Sequence, residues 1–500
     1  LLFFGKLRSF RLTYSNSHGY FAENGAGGKK FMTDPGAAVS RFGKKAALIA
    51  AALSAFLGTF MGSSVNIALP TIGRRFDMNP MSLSWVQTSY LLAAAVFLIP
   101  FGRLADMFGR RRVFLQGIIL YTAISCLIAV SFSGVMVILG RIAQGVASAM
   151  IFATGTAILM DVYPPGERGK ALGITVGAVY LGLTLGPIVG GVITQQLGWR
   201  WIFWLNLPLG LLVAIFLIKG LRVEPKAGVI KRFDSFGSLA LAVSLCSLIY
   251  GMTRVPSGAG FSIIGIGFLS FVVFLRHESR VEFPLIDLNL FRGNRVFAFS
   301  NLAALINYST TAGVGFLMSL YLQYNKGLSP REAGLMMVSQ PLVQTLFAPY
   351  AGRLSDKIEP RLVASSGMLV TLIGLLLLTL LGQSSSWPYI IFSMSLLGLG
   401  IALFSSPNTN AVMSSVDREN YGIASAIVGS MRLVGQMSSM AIVMLIFAVI
   451  FGKAKMTPEY YSYLIKSARI AFVVFAVLCV GGILASLARG NLGGDGRAAA

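Results

Sequence analysis

Acidic residues are scarce in this chain: 18 Asp and Glu stand against 41 Lys and Arg, with two His and three Cys in 500 residues. Charged residues make up only 12% of the sequence and hydrophobic ones 55%, whereas a soluble domain carries about 25% charged residues. That leaves too little polar surface to cover two or more soluble domains. An enzyme would need a nucleophile–base pair or a metal cluster, and both His (His18, His277) lie outside the apolar runs, with no carboxylate pair inside them. No enzymatic activity, bound cofactor or metal is therefore expected. The Gly-x-x-x-x-Gly-Lys-Ser/Thr loop that cradles phosphates is missing, which argues against ATP-driven transport. Cys126, Cys246 and Cys479 fall inside apolar runs and read as small buried hydrophobes rather than disulfides. A net charge of +23 does not mark a nucleic-acid binder, because the basic residues punctuate apolar runs instead of clustering on one face.

What the chain does have is long continuous apolar runs. They do not alternate in polarity, which excludes a β-barrel and predicts an all-α polytopic membrane protein. Fourteen spans are expected, at about 46–70, 83–103, 113–131, 134–160, 169–192, 200–219, 235–252, 259–275, 297–322, 330–351, 362–381, 387–411, 421–450 and 468–488. With the N-terminus inside, the inner segments hold 29 of the 41 basic residues and the outer loops ten. The positive-inside rule then places both termini in the cytoplasm and the chain in the cytoplasmic membrane. The first residues have too short an apolar core for a secretory signal, and the first Met is Met32, at or near which translation is expected to start.

One charged stretch organises the rest. Gly102-Arg103-Leu104-Ala105-Asp106-Met107-Phe108-Gly109-Arg110-Arg111-Arg112-Val113 sits between two spans, and Gly352-Arg353-Leu354-Ser355-Asp356-Lys357-Ile358-Glu359-Pro360-Arg361 repeats it 250 positions later. A repeated loop predicts two related halves. The expected organisation is a tail over 1–44, a six-helix half over 45–220, an inserted helix pair with its loop over 221–295, a second six-helix half over 296–489 and a tail over 490–500. Gly102 and Gly109 are expected to let the helices turn tightly. Asp106 would cap the next helix or pair with Arg110 or Arg112. The plain reading is a topogenic basic loop. The functional one is a latch whose ion pairs hold one conformation, and the recurrence of the acid at Asp356 favours it. Because Gly109-Arg110 becomes Glu359-Pro360 in the second copy, the first loop is expected to be the stronger gate.

Two further stretches carry candidates. Gly182, Gly186, Pro187, Gly190 and Gly191 place glycines at four-residue spacing beside a kinking proline, a face on which another helix can pack closely and a candidate seal or hinge. Arg141 lies inside the fourth span with Gln144 beside it, and an arginine at such depth is a functional hypothesis unless it snorkels to the outer surface. Arg432 in the thirteenth span, with Gln436 four residues on, is a weaker case. Asn66, Gln87, Tyr90, Asn307, Tyr308, Gln340, Gln344, Asn408 and Asn410 could line a cavity with them, although plain interhelical hydrogen bonding is an equal reading for each.

These segments resemble the major facilitator superfamily, and most closely its fourteen-span drug:proton antiporter branch. The likeness covers most of residues 45–490. It rests on the two Gly-x-Leu-x-Asp loops, the Arg141 stretch, the Gly-x-x-x-Gly-Pro-x-x-Gly-Gly of the fifth span, Asn66-Ile67-Ala68-Leu69-Pro70, Trp85 to Leu91, Trp199 to Pro208, and Ser406-Pro407-Asn408-Thr409-Asn410. The resemblance implies a major facilitator fold that exports small hydrophobic or amphipathic compounds by alternating access, in exchange for protons. A monomer is compatible with that reading, and no nucleic-acid partner is expected. One departure stands out. The branch usually carries an aspartate in the first span, expected to take part in proton coupling, where this chain has Met61. No other carboxylate lies in the middle of a span, and Asp161, Asp234 and Glu332 come nearest. A proton-independent uniporter or metabolite exporter, or a receptor-like member without transport, stays open on that account. The same lack of acid suits neutral or anionic substrates better than cations.

Overall fold

The computed structural model describes residues 41–220, 233–282, 284–286, 288–417, 421–452 and 457–490. The N-terminal tail up to residue 40, the basic linker 221–232 and the C-terminal segment from 491 lie outside the described residues. Among the described residues there is helix and turn but no strand. A bilayer dictates this, because a backbone group without water must find its partner within its own segment.

In order, the helices are α1 (Arg41–Arg75), α2 (Pro80–Phe108), α3 (Arg110–Ala129), α4 (Gly134–Val162), α5 (Pro165–Gln196), α6 (Arg200–Trp204) and α7 (Asn206–Gly220). They continue as α8 (Ser235–Met252), α9 (Gly258–Glu278), α10 (Asn289–Arg292), α11 (Arg295–Leu320), α12 (Pro330–Met337) and α13 (Ser339–Lys357). Then come α14 (Pro360–Thr379), α15 (Trp387–Ser414), α16 (Tyr421–Ile450) and α17 (Tyr461–Ala488). A π-helical turn, Tyr321–Asn325, extends α11. Thirteen helices among the described residues are long and apolar enough to cross a membrane. The remaining expected span, 330–351, coincides with α12 and α13, which break at Val338 and do not meet that criterion. Polar Ser339, Gln340 and Gln344 keep it from reading as one apolar run. Several helices overrun the expected limits, because helical bonding propagates into polar residues once begun, whereas apolar runs report only the hydrocarbon depth.

Packing follows a pattern that recurs along the chain. α1 packs on α5, α2 on α4, and α3 on α4 and α7. Later, α11 packs on α16, α13 on α15, and α14 on α15 and α17. Helices α8 and α9 pair with each other, and α8 touches the bundle through α2 and α16. Cysteine environments differ from the expectation: Cys479 is buried, but Cys126 is half-buried and Cys246 exposed, as suits helices whose outer faces meet lipid rather than protein.

The glycines of α5 are the tightest joint. A methyl group on Gly182 would strike Thr59 Oγ1 and the Phe56 carbonyl, one on Gly186 would strike Ser63, and one on Gly190 would strike Ser64. With the glycines bare, α1 comes close enough for its hydroxyls to bond α5 carbonyls: Thr59 Oγ1 donates to Val179 at 3.1 Å and Ser64 Oγ to Gly186 at 3.0 Å. Gly191 and Pro187 face the other way, against Pro330 and Gly334 of α12. Thus the motif serves two interfaces at once.

The organising stretch is less of a loop than expected. Residues up to Phe108 belong to α2, and α3 starts at Arg110, so Gly109 alone forms the turn. Its φ of 101° and ψ of 123° are open to glycine and strained for other residues. Gly102, expected to help the turn, is instead inside α2, with Ala153 Cβ 4.0 Å from where its own Cβ would be. Gly109→Ala is expected to destabilise the protein by about 1–3 kcal/mol, and Gly102→Ala to be near neutral. Thermal unfolding of the detergent-solubilised variants checks this; equal shifts would refute the single-residue turn.

Candidate functional site

Two ends of the bundle can be told apart by their turns. One, the loop end, holds the Gly109 turn and the Ile358–Glu359 joint; the other holds the α1–α2 and α11–α12 turns. At this second end the early and late helices are locked together. Gln323 Nε2 donates to the Ile67 carbonyl at 2.9 Å, Ser319 Oγ to Asn66 and Tyr324 OH to Pro70 at 3.2 Å. Arg331 N bonds Gln195 Oε1 at 3.3 Å, and Thr184 Oγ1 meets Thr345 Oγ1 at 3.0 Å. Toward the loop end, Gly173 and Gly177 follow the same stripe of α5 as Thr184, Pro187 and Gly191, yet both are exposed and meet nothing within 4 Å. Along α5, contact with the late helices is therefore strong at one end and released toward the other.

Between the ends lies Arg141. Its side chain is 0% exposed, so it does not snorkel. Nε donates to the Val86 carbonyl at 3.1 Å, Nη1 to Gln144 Oε1 at 2.6 Å and Nη2 to Gln87 Oε1 at 3.5 Å. The guanidinium stacks over the Tyr90 ring, 4.0 Å from its centre, a contact worth about 2 kcal/mol when desolvated. Among the described residues no carboxylate pairs with it. A buried cation normally requires a counter-ion, and desolvation alone costs several kcal/mol. Here neutral dipoles and one aromatic face carry the charge. Supporting them, Gln144 Nε2 donates to Ser125 Oγ at 2.7 Å, Asn206 Nδ2 to the same oxygen at 3.0 Å, and Tyr90 OH meets Ser148 Oγ at 2.7 Å. Such an arrangement keeps a positive charge fixed inside the bundle.

Four sequence candidates therefore converge: Gln87, Tyr90, Arg141 and Gln144. Arg432 of α16 comes within electrostatic reach of Tyr90 and of Tyr180, so the late helices also border this region. Both polar atoms of Asn307 are buried without a partner, which calls for a water or a ligand group. Asn66 lies elsewhere, at the α1–α11 contact, with Oδ1 unpartnered. Asn408, expected on the cavity wall, is instead buried with Ser300 and Arg489: its Nδ2 donates to the Ser300 carbonyl at 3.2 Å, and Arg489 Nη1 donates to its Oδ1 at 3.3 Å. Asn410 Nδ2 bonds Ser355 Oγ at 2.8 Å. Sequence reasoning missed Ser125 and Ser148, because a lone small polar residue in an apolar run carries no signal of its own, and it gave Asn206 no role beyond its place in the Trp199 to Pro208 stretch. Nor does the sequence set Arg489, 1% exposed, apart from the other basic residues of the inner segments. Only folding reveals that it plugs the space beside α11 and α15.

At the loop end, Arg110 bridges two acids. It meets Asp106 Oδ1 at 2.8 Å and Asp161 Oδ1 at 2.8 Å, tying the ends of α2, α3 and α4. Gly109 caps α3 without any side-chain bond, so Asp106 pairs instead of capping. Arg112 also has an interaction of its own. In the second copy Asp356 is exposed and has no hydrogen bond or ion pair among the described residues; Glu359 sits 3.5 Å from Arg361 instead. The copies differ in structure as they do in sequence. Asp106→Asn is expected to slow flux several-fold more than Asp356→Asn, measured as initial rates at equal protein in the membrane. The reverse order would refute a gate centred on Arg110.

The model of the Major Facilitator Superfamily matches residues 51–300 and 300–491. The riboflavin transporter RibZ of Clostridioides difficile is 33% identical over 391 residues, covering 77% of this chain and 84% of that protein. The multidrug resistance protein Stp of Mycobacterium tuberculosis is 32% identical over 79% of this chain and 74% of its own length. The tetracenomycin C resistance and export protein of Streptomyces glaucescens is 31% identical over 78% and 73%. Among solved structures, an inward-facing, unoccupied bacterial homologue of the human lysosomal transporter Spinster aligns with a TM-score of 0.65 at 16% identity, over 90% of this chain and 98% of that one. Peptide transporter POT in complex with sulfate aligns at 0.64 and 16%, over 91% and 95%. These two likenesses concern the fold.

Proposed function

The chain belongs to the major facilitator superfamily, in its drug:proton antiporter-like part, and from that premise we propose that it exports small, neutral or anionic, amphipathic compounds from the cytoplasm. Two six-helix halves, over 45–220 and 296–489, rock about the Arg141 region. The Asp106 loop latches the cytoplasmic side, and the inserted pair bridges the halves. The observation that carries this reading is the buried guanidinium without a counter-ion: its charge attracts anionic or π-rich solutes and repels cations. Relatives named for riboflavin transport, multidrug resistance and tetracenomycin C export agree with a small-molecule solute. Lock contacts at the α1–α11 and α5–α12 interfaces, against bare glycines further along α5, support a bundle that rocks.

Coupling to protons is the finer part of the proposal and rests on the family. Met61, 1% exposed in α1, favours a second reading, a proton-independent exporter, because a thioether cannot titrate. Flux of a neutral aromatic solute such as riboflavin in proteoliposomes, under imposed pH gradients of both signs, separates the two: antiport accelerates with the inward proton gradient, and an unresponsive rate establishes the alternative. In the same assay Arg141→Ala is expected to lower flux on the order of tenfold to a hundredfold, the equivalent of one hydrogen bond to a charged group, about 1.5–3 kcal/mol. Wild-type flux from a folded Arg141→Ala protein would remove Arg141 from the site.

A further inference from the structure

The inserted pair α8–α9 carries the one buried cluster of acids among the described residues that the transport reading leaves unused. Asp234 caps α8: its Oδ1 accepts from Gly237 N at 2.9 Å, and His277 Nε2 stands 3.0 Å from each of its carboxyl oxygens. Glu278, at the end of α9, is 3% exposed. Its Oε2 accepts from Ile286 N at 2.9 Å, while its Oε1 is buried with no hydrogen-bond partner. That orphaned oxygen points at the other acid. A side chain begun at Gly237 would strike both Asp234 Oδ2 and Glu278 Oε1, so the two carboxyls stand side by side.

Two carboxylates this close, out of water, do not both ionise without large repulsion, and a proton held by Glu278 between Oε1 and Asp234 Oδ2 relieves it. A proton between Oδ2 and Oε1 also supplies the missing partner of Oε1, and buried polar atoms are rarely left without one. Among the described residues no other group serves as that partner: His277 reaches Asp234 alone, and Glu278 Oε1 is left to the proton. Helix α8 bears no charged residue beyond its Asp234 cap, and α16 bears only Arg432. On and after α9, Arg276, Arg280 and Glu282 are exposed and pair with neither acid. From α2, Arg103 donates to the carbonyl of Pro284. The segment Pro284–Ile286 thus joins Glu278 at one end to the repeated loop stretch of α2 at the other.

We propose that Asp234 and Glu278 form a proton-binding site at the loop end of the inserted pair, and that its occupancy governs transport through Pro284–Ile286 and Arg103. With the proton in place, Glu278 lies against Asp234 and fixes Ile286. When it leaves, two adjacent anions repel, Glu278 swings away, and the carbonyl that holds Arg103 moves with it. The site sits at the helix ends, reachable from one side, so it senses protons rather than carrying them across.

The test has two arms, and only the second rests on the exporter reading. Infrared titration of the purified full-length protein should show a protonated-carboxyl stretching band that fades with rising pH, absent in Glu278→Gln and kept in His277→Gln. Asp234→Asn, which preserves the helix cap, serves as a second variant should Glu278→Gln fold poorly. An unchanged titrating band in both acid variants overturns the site. In proteoliposomes with equal pH on both sides, wild-type riboflavin flux should change on the order of tenfold across that titration, within the usual range of coupling between sites. Glu278→Gln should hold the acidic value throughout. A band that titrates while flux stays constant overturns the control. Loss of the pH response in His277→Gln with the band unchanged assigns it to the imidazole and likewise overturns the proposal.

Discussion

Everything in this bundle depends on how closely α1 and α5 can approach. Lipid is as apolar as the side chains, so no hydrophobic force drives one helix onto another inside the membrane. What holds them is close packing and hydroxyl-to-carbonyl bonds, both available only where side chains are absent. Gly182, Gly186 and Gly190 provide that absence on one face of α5, and Thr59, Ser63 and Ser64 of α1 fill it. One residue on, Gly191 lets Pro330 of α12 approach from the opposite side. Helix α5 is therefore bonded firmly to its own group of helices and, through a shorter contact, to the other group. A rocking bundle needs that difference in contact strength.

Charge is placed under the same constraint. A buried ion in hydrocarbon must be compensated, and this chain compensates Arg141 with amide oxygens, a carbonyl and the face of Tyr90. It leaves the acids to the helix ends, where Arg110 gathers Asp106 and Asp161, and where Asp234 and Glu278 share a corner of the inserted pair. The positive charge of Arg141 lies inside the bundle, and these acids lie at or near the ends of their helices.

The sequence by itself determined the class and the element order. Apolar runs long enough to span the bilayer admit only helices, and the periodic glycines of 182–191, the lone Arg141 and the repeated Gly-x-Leu-x-Asp stretches were legible because hydrocarbon makes each of them costly or rare. Only the tertiary structure decided which polar residues meet. Of the two readings open for Asn408, it takes interhelical bonding, with Arg489; Ser125 and Asn206 complete the Arg141 network; Gly102 sits within a helix while Gly109 makes the turn alone. The physical reason is that depth in the membrane is written along the chain, one residue after another, whereas rotation about each helix axis is not. A span's limits follow from its own hydrophobicity, but the face it turns to a neighbour is set by the neighbour's side chains, often more than a hundred residues away.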